Sequence, residues 1–159
     1  MKKYFFFLLV LGFMACGEDE EPMTGGGNGT ENATVWAGDN ISFSKAAGAN
    51  PADAASQDRL TSNVWLTRGN EGGQIYNAVT ETASDKDTSP SGTLWAIGDI
   101  DDAATLDFQL FRAAVGEPQD VVGKDLVVFL QDDNILLSMN FTSWDMGRAG
   151  GFAYTRSTP

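Results

Sequence analysis

Two of the four tryptophans fall among amide and hydroxyl residues at alternating spacing, an arrangement suited to a sugar ring. With Val64–Arg68 as a strand, Asn63, Trp65 and Thr67 share one face, and Val64 and Leu66 the other. With Ile135–Trp144 as a strand, Leu137, Met139 and Phe141 form an apolar face, and Ser138, Asn140, Thr142 and Trp144 a polar one. Trp95 stands similarly beside Thr93. An indole so placed stacks on the C–H face of a saccharide while its hydroxyls find donors and acceptors. The opposing expectation is that loops cover these indoles and make them core, the commoner fate of large aromatics.

Other chemistry is narrower. The chain has no histidine, which excludes Ser-His-Asp and Cys-His nucleophile systems and His-ligated zinc or haem. For metals an all-oxygen site remains. Asp99, Asp101 and Asp102 place carboxylates on one loop, chemically reasonable for calcium, but no glutamate follows at EF-hand distance and a solvated acidic turn explains them as well. Otherwise no cofactor is expected. For an enzyme, the remaining constellation is Gln74-Ile75-Tyr76 with Tyr154, Arg68 and Arg156: a tyrosine base, with glutamine and arginine neutralising a uronate. Gln74-Ile75-Tyr76 distantly resembles a motif of alginate lyases, with tyrosine where that family has histidine, and the other lyase motifs are absent. Phe152, Tyr154 and Arg156 alternate onto one strand face, which also fits Tyr154 as a core aromatic.

The lone cysteine, Cys16, follows Met1-Lys2-Lys3, an apolar run too short to span a bilayer and the small residue Ala15, the pattern of a secretory signal peptide over residues 1–15. Leu11-Gly12-Phe13-Met14-Ala15-Cys16 resembles a bacterial lipobox, with Phe13 where leucine is usual; that resemblance implies cleavage before Cys16 and its lipidation by acyl chains such as palmitate. Cleavage removes two lysines and no acid, leaving 8 basic against 22 acidic side chains, or −14. Such a surface repels nucleic acid and anionic headgroups, so the expected membrane contact is the lipid anchor itself. Residues 16–33 read as a tether, an acidic run followed by a Gly-rich stretch whose last twelve residues reach about 20 Å. The acids after Cys16 resemble the export signal that sends lipoproteins of Bacteroidota to the outer face of the outer membrane.

These groups need a scaffold, and residues 34–159 are enough for one core. Segments rich in Val, Ile, Phe, Trp and Thr between turn-forming clusters predict strands over Thr34–Ala37, Asn40–Lys45, Val64–Arg68, Gln74–Val79, Thr93–Ile97, Leu126–Gln131, Ile135–Trp144 and Gly151–Ser157. Asp132-Asp133-Asn134 predicts one hairpin turn and residues 145–151 a second. Pro51–Asp58 and Phe108–Val115 read as short helices. The expected fold is all-β: a single antiparallel, jelly-roll-like β-sandwich, monomeric and independent of disulfides.

The segments Gln57-Asp58-Arg59-Leu60-Thr61-Ser62-Asn63-Val64-Trp65-Leu66-Thr67-Arg68-Gly69-Asn70, Phe141-Thr142-Ser143-Trp144 and Gly150–Pro159 resemble an uncharacterised β-rich domain family of secreted and surface proteins of Bacteroidota. The resemblance implies extracellular placement and a β-rich module, and no mechanism. The expected function is a cell-surface lipoprotein displaying a non-catalytic carbohydrate-binding module, with Trp65, Trp95, Trp144, Asn63, Asn140, Arg68 and Tyr76 as candidate contacts. The alternatives are a structural or protein-interaction module of the envelope and a polysaccharide lyase.

Overall fold

Alternating apolar residues decide which strands pair. The computed structural model describes residues 29–159, with strands β1 (Thr34–Trp36), β2 (Ile41–Lys45), β3 (Asp58–Arg59), β4 (Trp65–Arg68), β5 (Ile75–Asn77), β6 (Thr93–Ile97), β7 (Asp125–Leu130), β8 (Ile135–Trp144) and β9 (Phe152–Arg156), and one short helix, α1 (Phe111–Val115). The signal peptide, Cys16 and most of the tether lie outside these residues. β7 and β8 pair antiparallel with Leu126 opposite Met139 and Val128 opposite Leu137, so both strands bury the same face. Their turn closes with Asn134 at φ 52°, a left-handed conformation asparagine tolerates.

Six strands form the larger sheet, in the order β2-β9-β8-β7-β6, with β1 parallel to the first half of β8. β3, β4 and β5 form the second sheet, antiparallel throughout. Leu66, Val64 and Ile75 join Trp95, Val128, Leu137 and Phe141 in one buried cluster. Each fully buried side chain of this kind contributes roughly 1.5–3 kcal/mol. The far face of the larger sheet carries a second cluster, Ala96, Val127, Phe129 and Leu136, against Ala103 and Phe108. The expected all-β sandwich is what forms.

All eight anticipated strands are present, and the differences have local causes. β3 has only two residues, too few to show a period. Pro51–Asp58 makes a single 3-10 turn, Ala54–Ser56, because the chain is then drawn into β3. The helix begins at Phe111 rather than Phe108 because Gln109 bonds the edge strand: its N–H donates to Trp95 O and its C=O accepts from Trp95 N, both 2.8 Å. Residues 30–33, read as tether, form a turn attached to the domain: Ala33 N donates to Thr30 O, and Asn134 Nδ2 to Asn32 O. Among the described residues no helix is long and apolar enough to cross a membrane.

Candidate functional site

The structure separates the seven candidate contacts into four places. Trp95 is wholly buried, its indole edge-on to Phe111 at 5.0 Å and its Nε1 donating to Thr93 Oγ1 at 2.8 Å. It is core and presents no platform. The residue shares the polar-looking face with Thr93, but α1 folds over that face and covers it. Asn63 donates to Asp133 Oδ1 and Trp65 Nε1 to Thr61 O, which ties both to the turn region. Trp65 stays half-buried on the outer face of β4, with the Arg59 guanidinium 4.1 Å above its ring. Asn140 lies on the far face of the larger sheet, donating to Lys124 O and Asp125 Oδ1. It lines a polar cleft of about 230 Å³ with Asn40, Asp99, Asp125 and Ser138.

Trp144 does not share the polar face with Ser138 and Asn140. The pairing of β8 with β9 slips between Phe141 and Ser143, and this bulge reverses the parity of every residue after it. Trp144 therefore stands opposite Phe152 and packs against Phe141 and Phe152 at the rim of the core. Arg68 comes from the facing sheet and stacks its guanidinium on the Trp144 ring, 4.0 Å from the centroid. Its Nε donates to Gly73 O, and its Nη1 to Asp145 O at 2.8 Å and Gly151 O at 2.9 Å. Arg68 is 2 % exposed, so it is not a free surface contact. Burial lowers its pKa from the usual arginine value, an effect the charge of Asp145 partly opposes.

The loop 69–73 organises the neighbourhood. Gly72 and Gly73 have φ of 91° and 85°, which other residues adopt only with strain. On one side of this loop an open cleft of about 520 Å³ is lined by Asn70, Glu71, Tyr76, Thr82 and Ser84. Asn70 is fixed by accepting from Lys45 Nζ at 2.8 Å and donating to Ala49 O. Tyr76 is 4 % exposed, and its hydroxyl makes no hydrogen bond within the described residues although none of their buried polar atoms lacks a partner. The phenolic oxygen is therefore the part of Tyr76 that reaches the cleft. Burial, then the charge of Glu81, raises its pKa, so it is held as a hydrogen-bond donor. On the other side of Gly73 a smaller cleft of about 130 Å³ is walled by Arg68, Arg112, Glu117, Trp144 and Met146.

The tyrosine–arginine constellation expected for a lyase does not assemble. Tyr154 and Arg156 converge inside the sandwich on Asp58: Tyr154 Oη donates to Oδ2 at 2.7 Å, and Arg156 Nε and Nη2 donate to Oδ2 and Oδ1 at 2.7 and 2.9 Å. Tyr154 is committed to this carboxylate, and burial and the Asp58 charge push its phenol well above the ordinary value. Asp99 caps the 3-10 segment Ile100–Thr105, accepting from Asp101 N at 3.0 Å. Among the described residues no three acidic, histidine or cysteine side chains are grouped to hold a metal ion.

Sequence reasoning passed over Arg112, Asn70 and Asp58. Arg112 is a lone cation inside an apolar stretch of an acidic chain, a signal that was available. Asp58 gave none, since a charged residue in a short strand has no pattern of its own. No known protein family, curated protein or solved structure matches the chain.

Proposed function

We propose that the protein is a lipid-anchored outer-membrane protein of the cell surface whose domain is a non-catalytic binding module for extracellular carbohydrate. The observation that carries the binding reading is the 520 Å³ cleft beside loop 69–73, where an oriented amide (Asn70), a carboxylate, two hydroxyl side chains and the outward-facing Tyr76 phenol meet on one open surface. Fixed donors and acceptors around an aromatic edge suit a ligand rich in hydroxyls. The anchor reading rests on the N-terminal sequence around Cys16. Neither tyrosine favours a proton-abstracting role: Tyr154 is enclosed, and the raised pKa of Tyr76 makes it a poor base at neutral pH.

Intact cells producing the full chain and exposed to fluorescent polysaccharides test both parts. Labelling is expected to disappear with Cys16→Ser, which removes the anchor. It should fall several-fold with Tyr76→Phe, since losing one hydrogen bond removes about 1 kcal/mol. Surface-retained protein that takes up no polysaccharide would leave the structural envelope module as the better reading.

A further inference from the structure

Two arginines, Arg68 and Arg112, wall one cleft of a chain whose net charge is −12. Arg112, on α1, donates from Nε to Gln74 Oε1 at 2.9 Å. Gln74 is 1 % exposed, and its Nε2 donates to Asp85 O and Thr88 O, both at 2.7 Å. Two carbonyls on the amide nitrogen leave the amide oxygen no alternative but to face Arg112. The glutamine is thereby a buried bracket that fixes the guanidinium by its Nε edge. The Nη edge lies at the cleft, where among the described residues Glu117 alone meets it, Nη1 to Oε2 at 3.3 Å, from a side chain 66 % exposed. Glu117 is the kind of group this fork accepts, held loosely enough to be displaced.

The opposite wall carries the same sign of charge. Arg68 is buried with three backbone carbonyls and the Trp144 ring as partners; the Asp145 carboxylate acts on it by charge but makes no hydrogen bond or ion pair with it among the described residues. Carbonyl dipoles and a π face solvate that charge, and Asp145 offsets only part of the cost of burying it. Two guanidiniums, one fixed by a buried glutamine and one with no carboxylate bonded to it, thus line about 130 Å³ of open space. That volume admits a carboxylate and part of the ring that bears it.

We propose that this cleft binds the carboxylate of an acidic sugar, with the Nη edge of Arg112 as a bidentate fork and Arg68 stacked on Trp144 as the opposite wall. The proposal rests on the carbohydrate reading of the adjoining cleft. Gly73 lines both clefts, so a glycan lying in the larger one can place a uronate in the smaller. Arginine suits the role better than lysine because its planar fork matches a carboxylate.

The full-length chain in neutral detergent, titrated with oligogalacturonate, oligoglucuronate, their methyl esters and a neutral oligosaccharide of equal length, tests this by intrinsic tryptophan fluorescence. At least one acidic oligomer should bind ten-fold or more tightly than its ester. Arg112→Gln should remove that advantage and leave ester binding unchanged, while Glu117→Gln should tighten acid binding by freeing the fork. Arg112→Gln without effect, or ester and acid binding equally, overturns the proposal while the carbohydrate reading stands. If no oligomer binds but free glucuronate perturbs the fluorescence of the native protein and not of Arg112→Gln, the acidic-sugar site stands and the reading of the adjoining cleft as a polysaccharide site falls. Silence in every arm removes both.

Discussion

Arg156 and Arg68 both reach from one sheet toward the other inside the sandwich, and the two solutions to burying a cation differ completely. Arg156 meets Asp58 with a two-point ion pair, and Tyr154 takes up more of the same carboxylate. Burial alone would lower the Arg156 pKa, but the hydrogen bonds and charge of Asp58 outweigh it and raise it. The Arg68 pKa goes down, because burial outweighs the charge of Asp145, whose carboxylate makes no hydrogen bond to it. The first centre is closed on itself and ties β3 to β9. The second has no carboxylate bonded to it, only the charge of Asp145 acting without an ion pair, and opens at Trp144 onto a cleft. A buried charge satisfied by its own chain reads as structure; one left without an ion pair beside open space reads as a site.

That contrast is most easily broken at Asp58. Asp58→Ala leaves the Arg156 guanidinium buried without its counter-ion and should cost about 3–5 kcal/mol, read as a lower urea midpoint at unchanged slope. Arg68→Met is expected to cost less, about 1–3 kcal/mol, since it strands carbonyls and strips Trp144 but abandons no buried carboxylate. Equal losses at the two positions would mean that Asp145 pairs with Arg68 as closely as Asp58 does with Arg156.

The smallest effect comes from Tyr154→Phe, about 1 kcal/mol near neutral pH, because the Arg156 fork still holds Asp58. Its pH dependence sharpens the comparison. An unfolded tyrosine ionises near pH 10 while the folded Tyr154 keeps its proton well above that. Its stabilising contribution is complete below about pH 10 and is lost as the pH rises further. Tyr76 acts in the same direction. Lys45 is lowered by burial and by Arg68, so stability associated with it rises toward its unfolded value near 10.5. The alkaline loss should therefore be shallower in Tyr154→Phe than in the native chain, measured by urea unfolding across that range. Identical alkaline profiles would place Tyr154 outside the closed network.

Much of the scaffold was legible because strands announce themselves by alternation. Leu137, Met139 and Phe141 read as a buried face and are one, and the Asp132-Asp133-Asn134 turn joins the strands it was expected to join. The pattern failed at Trp144 because one extra residue in a bulge reverses the parity, and no single strand shows where its partner slips. It failed at Trp95 because the cover comes from α1, a separate segment. Arg68, Tyr76 and Trp144 were all expected as contacts and do gather around loop 69–73, although Arg68 and Tyr76 are mostly enclosed.

Composition by itself determined that this domain uses neither histidine nor disulfide chemistry, and period-two patterning determined that it is a β-sandwich. Which charges are cancelled was decided only in three dimensions. Asp58 and Arg156 are 98 residues apart and Arg112 is 38 from Gln74, separations over which no sequence spacing carries geometry. An ion pair or a bracketed guanidinium exists only where two sheets and a loop bring its parts within hydrogen-bond distance, and that closeness is a property of the packed chain.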